Sequence, residues 1–505
     1  MFNINNKKIL ISLLLLFIGV FLSGCGCSSS DEKKSEDKGV TFAQISDIVS
    51  LDPGVANDAP SVNAIKNVYE TLIGLNEDST DFIPLLAESY KISEDGKQYT
   101  FALRKNIKFH DGTPFNSEAV KANVQRERGT KAEYLKMVWG GVSSVETPNE
   151  HTVVIKLNEP LTDFLYFLSM PLGASMVSPK GIRDGTIPES PSGTGPFKFE
   201  SREVGQSVVF KRNEDYWDSK NKPTYTTLSF KVISDSNSCL LALKNNEIDL
   251  FENVDPSLRN QVDSENSKLK LFPGSSTKYL CFNTTKLDEQ MRKGLCHALD
   301  MEKIVRSLYK GNSEYATSFI PKGIPGFGDS KPPKYDLEAA KNCVKASNSS
   351  KNIQYICLNK DKNIAEAIQD QVKAVGVNIQ IETREWAPIM DDYTKGKFDM
   401  GTMGWKSDYP GGMNFMQIFC PGNDLNYSKC NIPEFNNLYK QVLTEAFGEG
   451  RTQKIVKMNN LIAENFPVLP ICQDKQSVAF NTKKLNGEPS CHLIYGIPFN
   501  RLTLK

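Results

Sequence analysis

The sequence is poor in the residues that do chemistry. Histidine occurs four times in 505 residues. There is no Gly-x-Ser-x-Gly elbow, no His-Glu-x-x-His helix and no evident Ser/His/Asp set. No two cysteines form a Cys-x-x-Cys pair, and no Cys/His cluster has zinc spacing. An extracellular hydrolase therefore has little to work with. Gly193-Thr194-Gly195-Pro196 lacks the Lys-Ser/Thr of a phosphate loop, so nucleotide binding is not expected either. A basic excess is also missing, since 60 lysines and arginines face 60 aspartates and glutamates. Nucleic acid and anionic lipid both need a basic surface, so neither is the expected main partner. There is no internal repeat, and the one low-complexity stretch is residues 28–38.

What is present begins at the N-terminus. Lys7 and Lys8 precede an apolar run over 9–22, the pattern of an export signal and too short to span a bilayer comfortably. The run ends in Leu22-Ser23-Gly24-Cys25, which resembles a bacterial lipoprotein signal. That resemblance implies residues 1–24 as signal peptide, Cys25 as the acylated new N-terminus and a lipid as the membrane anchor. Cys27 lies close by. Serines and mixed charges follow, so 25–39 reads as a flexible tether. Cleavage removes Lys7 and Lys8 and no acid, leaving the remainder near −2. The rest of the chain is too long for one core and predicts two or three domains. Cys420 and Cys430 flank Pro421-Gly422-Asn423-Asp424, a turn, and a disulfide between them is expected outside the cell. Closing so short a loop adds about 2–3 kcal/mol. The other cysteines read as buried, inert thiols.

The body alternates short strands and amphipathic helices. Residues 40–45 predict a strand and 61–75 a helix, with Val62, Ile65, Val68, Tyr69 and Leu72 at helical spacing. Strands are expected over 98–103 and 152–157. A helix over 117–126 is capped by Asn116-Ser117-Glu118. A helix over 364–375 ends at Gly376, and 377–381 alternates as a strand. This is the rhythm of an α/β protein.

Six blocks, in order, resemble family 5 of the bacterial extracellular solute-binding proteins, the dipeptide, oligopeptide and nickel receptors of ABC importers. The first runs from Leu86-Ala87-Glu88-Ser89-Tyr90 through Asp95-Gly96-Lys97-Gln98-Tyr99-Thr100-Phe101 to His110-Asp111-Gly112-Thr113-Pro114-Phe115 and Glu118-Ala119-Val120. The next are Gly193-Thr194-Gly195-Pro196-Phe197, Asn213-Glu214-Asp215-Tyr216-Trp217, Asn246-Glu247-Ile248-Asp249 and 292–304 with Ala298-Leu299-Asp300. The last joins Phe398-Asp399-Met400 to Gly404-Trp405-Lys406-Ser407-Asp408-Tyr409-Pro410. By themselves, Asp95-Gly96-Lys97 and His110-Asp111-Gly112-Thr113-Pro114 read as turns, which makes His110 structural. The resemblance implies a two-lobed periplasmic-binding-protein type II fold with an extra inserted subdomain in the first lobe. Lobe I would comprise 40–70, 190–278 and 481–505, with the subdomain at 71–189 and lobe II at 279–480. Hinge crossings would fall near 275–280 and 477–481, closing on the ligand.

The resemblance also implies a short peptide as ligand. An aspartate in a Trp-x-x-Asp-Tyr block pairs with the ligand's α-amino group, here Asp408, with Trp405 and Tyr409 as candidate walls. A closed cleft excludes water, so an ammonium must meet a carboxylate there. Two departures bear on the ligand. Pro410 is followed by Gly411-Gly412-Met413, where many relatives have Asp-Pro. The upstream arginine that holds a dipeptide's carboxylate is replaced by Cys357-Leu358-Asn359-Lys360-Asp361-Lys362, leaving Lys360 or Lys362 as point charges. A longer peptide or another amine-bearing solute stays open, and so does a nickel chelate, with Met403, Met413 and Met416 nearby. No cofactor and no resident metal is expected, and the chain reads as a monomeric receptor serving an importer permease and ATPase. Replacing Cys25 by Ser is expected to release the protein from membranes; continued sedimentation with them would show that the anchor is not a lipid on that residue.

Overall fold

The computed structural model describes residues 39–126, 132–328 and 332–505. The signal, Cys25, Cys27 and nearly all of the tether lie outside the described residues. Gly39, expected to end the tether, instead opens the first strand, Gly39–Gln44. Among the described residues no helix is long and apolar enough to cross a membrane.

Among the described residues eleven strands form one sheet, one of them the short Ser313–Tyr315 paired to the side of Val468–Asn481. On one side lie Asn378–Arg384, Asn352–Leu358 and Met400–Lys406. On the other lie Leu250–Glu252, Gly39–Gln44, Thr227–Val232, Ser207–Arg212 and Phe197–Glu203. Two long antiparallel strands, Ser267–Phe282 and Val468–Asn481, run through the middle and belong to both halves. A separate four-stranded antiparallel sheet is built from Ala87–Ile92, Gln98–Leu103, Thr152–Leu157 and Val142–Asn149. Apolar burial follows the same division. Phe42, Phe210, Phe230 and Phe499 centre one core, and Tyr99, Phe101, Trp139 and Phe164 fill another against the small sheet. Leu280, Leu295, Ile353 and Ile368 form a third, beside one around Phe319, Tyr393, Phe415 and Phe435.

Local expectations hold where local chemistry decides. The helix Ser117–Gln125 is capped by Asn116, whose Oδ1 accepts the Ala119 amide at 3.0 Å. Gly96 turns the hairpin between Ala87–Ile92 and Gln98–Leu103 at φ 68°. The helix Lys362–Val372 tightens over Lys373–Val375 and stops at Gly376, at φ 77°.

The helix expected over 61–75 stops much earlier. It spans Ala59–Val68, and Ile73–Leu75 is a strand. The carbonyls that would continue the helix are taken by distant amides: Gly195 N donates to Val68 O at 2.9 Å, Met176 N to Glu70 O at 2.8 Å and Ala87 N to Leu72 O at 2.8 Å. Gly193 and Gly195 belong to one of the family-like blocks, and a Cβ on either would strike the Val68 or Asn67 carbonyl. The Tyr216-Trp217 block arrives at the same place. Buried Glu70 accepts from Thr194 Oγ1 (2.8 Å), Tyr216 OH (2.8 Å) and Trp217 Nε1 (2.7 Å). Burial is the largest influence on its carboxyl and raises the pKa to about 7 against these three donors. His110 Nε2 lies 3.0 Å from the Gly195 carbonyl, and burial pushes the ring down to about 4. These blocks are structural.

The disulfide expected between Cys420 and Cys430 is not formed; both are free thiols. Asn426 closes the loop instead. Its Nδ2 donates to the carbonyls of Cys420 (3.3 Å) and Cys430 (2.9 Å), while Cys430 Sγ reaches the Phe419 carbonyl.

The two long central strands lose pairing between Pro273 and Thr277. Below the gap, Ser267 to Pro273 pair with Asn481 to Lys475; above it, Thr277 pairs with Gln473. Gly274 sits in the gap, where a Cβ would run into the Asp474 carbonyl oxygen. Gly274→Ala is therefore expected to cost about 1–3 kcal/mol of stability. Gly404→Ala, with nothing within 4 Å of its Cβ, should stay within about 0.5 kcal/mol of the parent. Denaturant unfolding of both variants checks the contrast, and equal effects would refute it.

Candidate functional site

A cavity of about 430 Å³ lies at the strand gap, between the two halves of the sheet. Its floor is Gly274–Ser276 and Asp474–Gln476. One side brings Asp58, Asn63 and Glu252, the other Lys406, Ser407 and Asp408, and Tyr134, Met170 and Tyr495 close it. The volume lies within the range of small-ligand pockets.

Asp408 follows the strand Met400–Lys406 and presents its carboxylate to the cavity. The Tyr134 phenol lies beside it and favours its charged form. Asp408 is exposed, yet the protein packed around it is the largest influence on its carboxyl and raises the pKa; the Lys406 ammonium and the Tyr134 phenol pull the other way. Burial and the Asp408 charge push the Tyr134 phenol up to about 12. On the opposite wall Glu252 Oε1 accepts from Asn63 Nδ2 at 2.6 Å. Behind Tyr495 a second cavity of about 280 Å³ shares Pro171, Tyr495 and Gly496 with the first. Half-buried Lys66 fixes this shared wall by donating to the Tyr495 carbonyl at 2.6 Å, and the protein around it lowers its pKa to about 8.

Trp405 and Tyr409 are not cavity walls. Side chains alternate along a strand, so Trp405 points away from the face that carries Lys406. Its Nε1 donates to Asn414 Oδ1 at 2.9 Å, and its ring packs against the Phe319–Phe415 core. Tyr409 is 5% exposed and faces the small-sheet subdomain. It stacks on Tyr166 (centroids 5.5 Å, 29°) and donates to Asp163 Oδ2 at 3.1 Å. The Gly-Gly departure has its cause here: a Gly411 Cβ would sit 2.5 Å from the Tyr409 ring, and a Gly412 Cβ would meet the Pro325 carbonyl. Lys360 and Lys362 do not reach the cavity either. Lys362 pairs with Glu366 at 3.5 Å, and Asp361 between them is buried against Lys278. Met403, Met413 and Met416 are buried in the core beneath.

Tyr409 belongs to a clasp that sequence reasoning missed. Arg451, in the helix Glu449–Asn465, pairs with Asp163 at 2.5 Å, with side chains 5% and 7% exposed. The guanidinium lies over Phe447, which also packs on Tyr166 and Phe82. Thr162 N donates to the Leu443 carbonyl at 3.2 Å. The subdomain is thus held against the far half of the protein beside the cavity. The paired residues stand 288 apart, and no local pattern marks either.

Over residues 81–427 the chain matches the family described as bacterial extracellular solute-binding proteins, family 5 Middle. The chain belongs to family 5 of the bacterial extracellular solute-binding proteins. This family 5 chain is 26% identical to the probable D,D-dipeptide-binding periplasmic protein DdpA of Escherichia coli strain K12 over 482 residues, covering 89% of this chain and 90% of that one. It is 29% identical to the dipeptide-binding protein of the same strain over 428 residues, covering 76% and 79%. The structure of HbpA2 from Haemophilus parasuis matches with a TM-score of 0.84 at 27% identity, covering 92% of this chain and 100% of that one. The fold is the two-lobed periplasmic-binding-protein fold. Like its family 5 relatives, the protein is a solute-binding receptor of ABC importers and not an enzyme.

Arg451→Ala leaves Asp163 buried without its counter-charge, at a cost of about 3–5 kcal/mol to the form in which the lobes meet. A larger radius of gyration in small-angle scattering is expected. Unchanged scattering would show that the clasp does not hold the lobes together.

Proposed function

We propose that this receptor captures short peptides outside the cytoplasmic membrane, tethered by a lipid on Cys25, and delivers them to an ABC importer. In this reading lobe I is 40–70, 190–278 and 481–505, the inserted subdomain is 71–189, and lobe II is 279–480. The strand gap at Gly274–Ser276 and Asp474 is the hinge, slightly offset from the crossings expected at 275–280 and 477–481. Cys25 and its lipid belong to the proposal on the strength of the sequence alone.

One observation carries the peptide reading: Asp408 lines the inter-lobe cavity, with Tyr134 beside it. A ligand ammonium brought there loses water and needs a full negative charge in return. Every peptide with a free N-terminus carries such an ammonium, so the contact recognises the class without reading side chains. Relatives named as D,D-dipeptide-binding and dipeptide-binding proteins support the same ligand class. Asp408 directly precedes Tyr409, so the segment that would hold the ligand also carries part of the clasp.

Calorimetry with trialanine tests the reading. Micromolar or tighter binding at one site is expected, and Asp408→Ala should weaken it about a hundredfold or more. Equal affinity in the variant would sink the assignment of Asp408. Release of any product from the peptide would overturn the receptor reading.

A further inference from the structure

Among the described residues, the cavity holds one cation that no other group pairs with. Lys475 lines it but is paired with Glu314 at 2.9 Å. Lys66, behind the wall, is half-buried and spends its protons on Asn63 Oδ1 and the Tyr495 carbonyl. Lys406 lines the cavity, is exposed to it and makes no ion pair within 4 Å among the described residues. It closes the strand Met400–Lys406 and stands opposite Ser276, at the edge of the strand gap. Asp408 lies two residues further on, and Ser407 between them is turned inward, 2% exposed. Lys406 and Asp408 therefore line the same space, two residues apart. Their charges attract, as the pull of Lys406 on the Asp408 carboxyl shows, yet they do not close into a pair.

We propose that Lys406 binds the free carboxylate of the ligand, so that Lys406 and Asp408 together select short zwitterionic peptides. The proposal rests on the peptide reading above and names the half of the ligand which that reading leaves unassigned. An extended dipeptide spans about 7 Å and a tripeptide about 10 Å between its ends. A lysine is a point charge on a flexible four-carbon stem, so it can follow the carboxylate over that difference. An arginine fork would demand one planar geometry and so favour one length. Two opposite charges displayed from one strand end also disfavour ligands with a single charge, because binding one leaves the other desolvated without a partner.

The test is a cycle of two ligands and two proteins, read by calorimetry: trialanine and trialanine amide, against the parent protein and Lys406→Met. The parent should bind the amide about tenfold more weakly than the free acid. Lys406→Met should lose about tenfold for the free acid and almost nothing for the amide, so that amidation no longer matters. Lys406 is exposed, and an unchanged unfolding midpoint confirms that the variant folds. If amidation weakens binding by the same factor in both proteins, or by nothing in the parent, the assignment of Lys406 is wrong while the peptide reading stands. If the parent binds neither ligand, the peptide reading falls and this assignment with it.

Discussion

Two long strands pass from one half of the molecule to the other, and for a few residues they do not pair. A continuous ladder across Ser267–Phe282 and Val468–Asn481 would weld the halves into one stiff sheet. The interruption between Pro273 and Thr277 leaves backbone and small side chains, Gly274, Ser275 and Ser276, at the floor of the cavity. The cavity and the interruption of the ladder are therefore one place. A residue larger than glycine at 274 cannot be seated without moving the Asp474 carbonyl, which lies on the facing strand and also lines the cavity.

The clasp is built on the far side of the same neighbourhood. Asp163 and Arg451 are both removed from water, an arrangement that is tolerable only while they are together. Tyr409 completes it by bonding to the second oxygen of Asp163. A shift of the 407–410 segment on ligand entry would be felt by the Tyr409 ring, wedged between Tyr166 and Phe167. Packing this dense has discrete arrangements and little capacity for gradual deformation.

Much of this architecture was legible in the sequence wherever the cause is local. Asn116 caps a helix because its own side chain does so, and Gly96 and Gly376 turn because their φ angles require it. The six blocks pointed to the family and to Asp408. Several of those blocks proved to be about the root of the subdomain and not the ligand: Gly193, Gly195, Tyr216 and Trp217 converge on residues 67–70. What stayed hidden was set by distant partners. The helix begun at Ala59 ends at Val68 because amides from 86–195 claim the next carbonyls. Trp405 and Tyr409 looked like walls, but strand alternation and a turn carry them elsewhere. Tyr134, Lys406 and Arg451 carry no signal in spacing, since each acquires its meaning from a residue far along the chain or from the cavity itself.

Glu70 gives the root of the subdomain an acid–base character. In the unfolded chain its carboxyl ionises near 4.5, in the folded protein near 7. Between those values the folded state holds a proton that the unfolded state has released, so the folded form loses ground as pH rises through that window, by roughly 3 kcal/mol in all from this group. Below about 4.5 both states are protonated and the contribution is flat; above about 7 both are ionised and the penalty is complete. His110, at the same root and pushed down to about 4, works in the opposite sense: between about 4 and 6.5 the folded state has given up a proton that the unfolded state keeps. Folding thus moves a proton from one buried group to the other with little net exchange with the solvent, and the root is largely insulated from the acidity of the medium.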